Sequence, residues 1–288
     1  MINLLKALVI LALLGAIGGG AYGAYYLIVE RPHLRDQAEL AAAAAMPVGQ
    51  PTPDPSTPDF EKVRAIRRDS TDADARAAIE GFMVRYPDSS HHDEAENMLG
   101  SINLGELFSG RSGPNKTEYI VQRGEVLDRV ARKTKSDPEL IYMANNLDRI
   151  MLRIGQKLQI PQVDFAVVVH LNPKKLVLLD RGRFFKSYPL LDARPLPRKA
   201  NEIRTKVQEK IATRDGHRVV FGSKEYGGSL RSLTLTGQPG FTIYAQSDGS
   251  PGTGSPRPSG SGLALEPSDA EELHALVSPG TPVLITTK

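Results

Sequence analysis

A chain of 288 residues has room for about two domains at roughly 150 residues each, and 40% hydrophobic with 24% charged residues is a globular composition, interrupted by 26 Gly and 21 Pro. The net charge is +3, with basic residues dispersed rather than gathered in a run, which argues against a nucleic-acid partner. There is no cysteine, so disulfides, thiolate metal sites and a cysteine nucleophile are excluded; the six histidines show no ligand spacing, and neither metal nor cofactor is expected.

Residues 7–29, ALVILALLGAIGGGAYGAYYLIV, carry no charge. As a helix they would span roughly 34 Å, enough for a hydrocarbon core of about 30 Å. Residues 1–30 therefore read as a membrane anchor. A cleaved signal peptide is the competing reading, with Lys6 as its positive region and AYG at 21–23 as the cleavage spacing. The apolar run continues through Val29, past that site, which favours the anchor. Residues 31–59 pass from an alanine run into closely spaced prolines and read as a linker that resists both helix and collapse.

Residues 60–112 are helical in pattern. Ala75, Ile79, Phe82, Met83 and Tyr86 recur at steps of three and four, Pro87-Asp88-Ser89 breaks the run, and Ala95, Met98, Leu99 and Ile102 resume it. The expectation is a helical hairpin. Its F..RYPDS....EA..ML arrangement is similar to a tetratricopeptide-type unit, of which one repeat is visible. A stalk packing on itself is the simpler reading, and a peptide-binding groove is the alternative.

Residues 118–161 have the strongest local signal. Tyr119-Ile120-Val121 reads as a strand and Gly124 as its turn, and Leu127, Val130 and Ala131 share one face of a short helix. Asp137 and Pro138 open a second helix whose buried side is Leu140, Ile141 and Ala144. Asn145-Asn146 ends it, and Leu158-Gln159-Ile160 forms a second strand stopped by Pro161. The order β-α-α-β, with Tyr119, Val121, Gly124, Leu127, Ala131, Leu140, Leu147, Gly155, Gln156, Leu158, Ile160 and Pro161 at their spacings, resembles the LysM domain. That resemblance implies binding of N-acetylglucosamine-containing glycan, chiefly peptidoglycan, between two loops. By position these are Gly124, Glu125, Val126 and Leu127 on one side and Met151, Leu152, Arg153 and Ile154 on the other. Glu125 and Val126 stand where the family usually has Asp and a hydroxyl residue.

Residues 164–288 are strand-rich, with alternation through Leu176 and Leu178, a turn at Asp180-Arg181-Gly182-Arg183, then Phe184 and Tyr188. Near the end Ser268-Asp269 read as the cap of a helix burying Leu273, Leu276 and Val277, followed by a strand over 282–286. The segments KKLVLLDRGRFFKSYPL and SDAEELHALVSPGTPVLI resemble an L,D-transpeptidase (YkuD-like) domain, whose catalytic motif is S-H-G-C-x-R. Aligned on Asp269-Ala270, that motif falls on Ser259, Gly260, Ser261, Gly262 and Ala264, and the upstream histidine falls near Tyr244 or Ala245. Nucleophile, base and cation are all missing, so no catalytic residue is assigned. His170, His217 and His274 read as solvated or packed, and the tract over 247–262 as a coil of Gly, Ser and Pro.

The fold class expected is multidomain α+β: an N-terminal transmembrane helix, a helical hairpin, a LysM domain and a mainly-β, degenerate transpeptidase-like domain. The function expected is non-catalytic, membrane-anchored binding of peptidoglycan glycan strands, with the bulk of the chain in the periplasm or wall space of a bacterium. The alternatives are a cell-wall transpeptidase with an atypical site and a scaffold recruiting another cell-wall enzyme as partner.

Overall fold

The structure, a computed structural model, describes residues 54–193, 202–238, 241–246 and 262–286. The apolar run at 7–29 and most of the linker lie outside the described residues. Among the described residues no helix is long and apolar enough to cross a membrane.

Three helices come first: α1 (Thr57–Asp69), α2 (Asp72–Arg85) and α3 (His92–Leu107). Periodicity indicates α2 and α3; α1 is an addition that starts within the segment read as linker. Pro58 sits in its first turn, where a missing N–H leaves no bond unmade, and Phe60 and Val63 give it a buried face. The Thr71 hydroxyl caps α2 by accepting from the Asp74 amide at 3.2 Å. Phe60, Ile79, Phe82, Ala95 and Leu99 belong to the core these helices share.

Next, β1 (Lys116–Ile120) pairs antiparallel with β2 (Lys157–Pro161), and α4 (Leu127–Thr134) and α5 (Pro138–Ala144) lie between them in the chain. The β-α-α-β order is the expected one. Asp137 caps α5, accepting from the Glu139 amide at 2.9 Å. Asn145, where α5 stops, accepts from the Gln159 amide at 2.6 Å and donates to the Gln159 carbonyl at 2.8 Å, which clasps the helix end to β2. Val130, Ile141, Leu158 and Ile160 are fully buried, and Phe221, far along the chain, packs against their cluster.

The remaining strands are β3 (Phe165–His170), β4 (Lys175–Asp180), β5 (Arg183–Pro189), β6 (Asp192–Ala193), β7 (Glu202–Arg214), β8 (His217–Val219), β9 (Leu230–Leu235), β10 (Thr242–Ala245), β11 (Gly262–Leu265) and β12 (Pro282–Thr286), with α6 (Pro267–Leu276) before the last. Their order in the sheet is β5-β4-β3-β12-β7-β9-β10-β11-β6, with β8 on β7. The β4–β5 turn has positive φ at both Arg181 and Gly182, the geometry that suits a two-residue hairpin. β7 is long enough to hold β12 along its first half and β9 along its second, so it joins the two ends of the sheet. α3 docks on this sheet through Asn103, whose amide donates to the Phe185 carbonyl at 2.7 Å.

Two details depart from the sequence reading. α6 is entered through Glu266 and Pro267 rather than capped by Ser268-Asp269. β11, a buried Gly-Leu-Ala-Leu run parallel to β10, is a strand that the preceding Gly/Ser/Pro tract conceals.

Candidate functional site

The two loops singled out at Gly124–Leu127 and Met151–Ile154 are neighbours. Val121 donates its amide to the Gln156 carbonyl at 2.9 Å and receives the Gly155 amide at 2.9 Å. Gly124 and Gly155 both have φ +77, a conformation glycine adopts without strain, and each turns the backbone at the mouth of its loop. The Gln156 side chain steadies the second loop by accepting from the Arg153 amide at 3.0 Å.

The eight residues divide by what their side chains face. Val126, Met151 and Ile154 are 56%, 78% and 70% exposed, a high exposure for large apolar groups. Arg153 is exposed as well, and Leu152 is half-buried against the domain core. Met151, Arg153 and Ile154 line a hollow of about 520 Å³ together with Asn146, Asp148 and Gln156. Glu125 and Leu127 face inward. Leu127 is a core residue, 3% exposed. The Glu125 carboxylate accepts from the Tyr119 hydroxyl at 2.9 Å, the Gln122 amide at 2.9 Å and Lys133. The Lys133 ammonium and the Gln122 amide hold its pKa down at about 2. These two residues therefore shape the first loop from beneath and do not stand in its open face. Such a surface, apolar side chains beside loop backbone, suits an acetamido sugar: the methyl packs on aliphatic groups while amide and carbonyl meet peptide groups.

In the C-terminal sheet, Gly262 is tightly enclosed by β10. Gly262 is buried in β11, and a Cβ built on it would lie 2.6 Å from the Thr242 carbonyl oxygen and 2.9 Å from the Tyr244 ring. A side chain there would require the β10 backbone to shift. Ser259, Gly260 and Ser261 lie outside the described residues.

A third cluster joins α5 to the sheet and was not legible as a unit in the sequence. Glu139, 6% exposed, places Oε2 2.9 Å from Nδ1 of His274 and 3.3 Å from Nζ of Lys210, while Oε1 accepts from the Tyr226 hydroxyl at 2.7 Å. Lys210 is also 3.0 Å from Asp137 Oδ2, and the Arg231 guanidinium stacks on the Tyr226 ring at 3.9 Å. Burial by itself would raise the Glu139 carboxyl; the His274 bond, the Lys210 charge and the Tyr226 bond outweigh it and hold the pKa at about 2. Burial pushes the His274 pKa down against the opposing pull of Glu139, so a neutral ring donating from Nδ1 fits the site. The only hint in the sequence is Glu139 itself, a charge at the start of an otherwise apolar helix.

Residues 119–161 match the LysM domain family. No curated protein matches the chain. Among solved structures, an L,D-transpeptidase from Mycobacterium smegmatis is similar at 14% identity and TM-score 0.30, covering 46% of this chain and 64% of that one. L,D-transpeptidase 1 from Mycobacterium tuberculosis is similar at 11% identity and TM-score 0.29, with 46% and 66% covered. A variant of the Enterococcus faecium L,D-transpeptidase is similar at 15% identity and TM-score 0.28, with 65% and 82% covered. The chain spans less than two thirds of the length of the two mycobacterial proteins.

Proposed function

We propose that this chain is a non-catalytic peptidoglycan-binding protein of the bacterial envelope, held to the cytoplasmic membrane by residues 7–29 and contacting N-acetylglucosamine-containing glycan through residues 119–161. The observation that carries the reading is the solvent-facing apolar set Val126, Met151 and Ile154 on the two loops of a segment that matches the LysM family. Buried apolar residues need no ligand to explain them; large exposed ones on two neighbouring loops, Met151 and Ile154 lining a hollow and Val126 on the other loop, favour a surface that is covered in use.

The non-catalytic half of the proposal rests on chemistry. A transpeptidase of the resembled kind needs a thiolate, a base to form it and donors for the oxyanion. The chain contains no cysteine, and the aligned position, Gly262, has a backbone carbonyl where a side chain would have to go. Membrane anchoring adds effective concentration, so one weak module suffices for a tether facing a polymeric wall.

The test is co-sedimentation of residues 31–288 with purified sacculi, beside the Met151→Glu/Ile154→Glu double variant. Both positions are exposed, so the variant should fold as the parent does. Pelleting of the parent and its loss in the variant is the expected result. Equal pelleting of both would place the contact elsewhere, and no pelleting of either would leave recruitment of another wall protein as the reading to pursue.

A further inference from the structure

We infer that the loop from Val220 to Ser229, which belongs to the C-terminal sheet and not to residues 119–161, is a working part of the glycan site, with Gly222 as a positioning residue for the loop that carries Met151 and Ile154. The inference rests on the proposed glycan binding and extends it to a residue outside the matched segment.

Three contacts from one side seat this loop on the small domain. Phe221 packs edge-on against Tyr142 of α5, ring centroids 5.4 Å apart. Tyr226 packs edge-on against Phe221 at 5.2 Å and donates its hydroxyl to Glu139. Between these anchors Gly222 meets Ile150, the residue immediately before Met151. A Cβ at position 222 would lie 2.8 Å from Ile150 Cδ1 and 3.0 Å from Cγ2. Turning the Ile150 end group moves Cδ1 alone, because Cγ2 is fixed to the branch point, so relief requires a χ1 change or a shift of the loop backbone. Gly222 also has φ +87, where side chains are strained.

The second binding loop is thus held from within by the Gly155–Val121 and Arg153–Gln156 bonds and from outside by the 220–229 loop. A shallow surface on the connection between α5 and β2, residues 145–156, gains affinity when that connection is already in its bound shape, because less ordering is required on binding. Glycan affinity is then a property of both folded parts, and glycan occupancy in turn stabilises their contact.

The experiment uses residues 31–288 and a chitin oligosaccharide as probe, measuring affinity by calorimetry and backbone exchange at Arg153 and Gly155 by hydrogen–deuterium exchange. Gly222→Val should weaken binding about tenfold, the size of coupling that neighbouring groups show, and should speed exchange at both amides, with a fall in melting temperature held to about 5 °C, the cost of a side chain at φ +87. Ile150→Ala, which removes the clash from the other side, should weaken binding about threefold alone and restore part of the affinity in combination with Gly222→Val. Unchanged affinity and exchange in Gly222→Val would overturn the inference while leaving glycan binding intact. A loss of affinity that Ile150→Ala does not relieve, accompanied by a large drop in melting temperature, would also overturn it, as plain destabilisation. Absence of binding by the parent would instead remove the functional reading on which the inference stands.

Discussion

Replacing Glu139 by Gln keeps the shape of the side chain and removes its charge from the junction of α5 with the sheet. In the parent the carboxyl is held at about 2 against an ordinary 4.5. Each unit corresponds to about 1.4 kcal/mol, so the preference for the ionised form contributes about 3 kcal/mol of stability at neutral pH. That agrees in size with the roughly 3–5 kcal/mol lost when one partner of a buried ion pair is deleted. Glutamine can still accept from Tyr226, but it leaves Lys210 with Asp137 alone and confronts the His274 Nδ1–H with an amide that must turn its oxygen towards it. For a folding unit of more than 200 residues, a loss of about 3 kcal/mol lowers the melting temperature by about 10 °C. The sign follows from the depressed pKa: the Glu139 contribution is complete above pH 4.5 and vanishes as pH falls towards 2. The deficit of Glu139→Gln relative to the parent, read by thermal denaturation, should be full at pH 7 and shrink between pH 4.5 and 3. A deficit under about 2 °C at pH 7, which is below 1 kcal/mol on the same scale, or one that stays constant down to pH 3, would refute this account of the cluster.

The same cluster should make the parent acid-sensitive before its carboxylates titrate. His274 has a depressed pKa in the folded state, so its unfolded form binds a proton first, near pH 6.5, and stability should fall from there as pH drops; His274→Gln should flatten the decline between pH 6.5 and 5 in a pH series of denaturant melts. Gly262→Ala should cost about 1–3 kcal/mol, the range for overpacking a filled core, because the added methyl meets the Thr242 carbonyl, a backbone atom that cannot rotate away. Gly262→Cys should be destabilised at least as much and form no acyl adduct with a stem-peptide donor when followed by mass spectrometry. Glu125→Gln should lower the melting temperature through loss of the Lys133 and Gln122 bonds while a chitin oligosaccharide still binds, which would distinguish support of the loop from contact with sugar.

How much could be read without the structure depended on the range of the signals. The small domain was legible because its cues are local: Asp137-Pro138 starts α5, Asn145 stops it, and Gly124 and Gly155 turn its loops, each within a few residues of what it controls. The inner and outer halves of its binding loops were not separable, because Glu125 and Val126 are adjacent and sequence spacing does not tell which one turns inward; that follows from Tyr119, Gln122 and Lys133 converging on Glu125. α1 was missed because its start lies among prolines that read as linker, and β11 because a Gly/Ser/Pro tract runs up to it. The cluster of Glu139, Lys210, Tyr226 and His274 joins positions up to 135 apart in the chain, and nothing local in any of them marks the others. Gly222 was unremarkable for the same reason: its importance lies in Ile150, a contact that only tertiary structure supplies.

The proposed function requires that the protein hold peptidoglycan without changing it. Residues 31–288 incubated with purified sacculi, pelleted, and followed by chromatography of the released muropeptides tests both halves at once. The protein should sediment with the sacculi, and the muropeptide profile should match an untreated control. New cross-links or shortened stem peptides, or protein remaining in the supernatant, would contradict it.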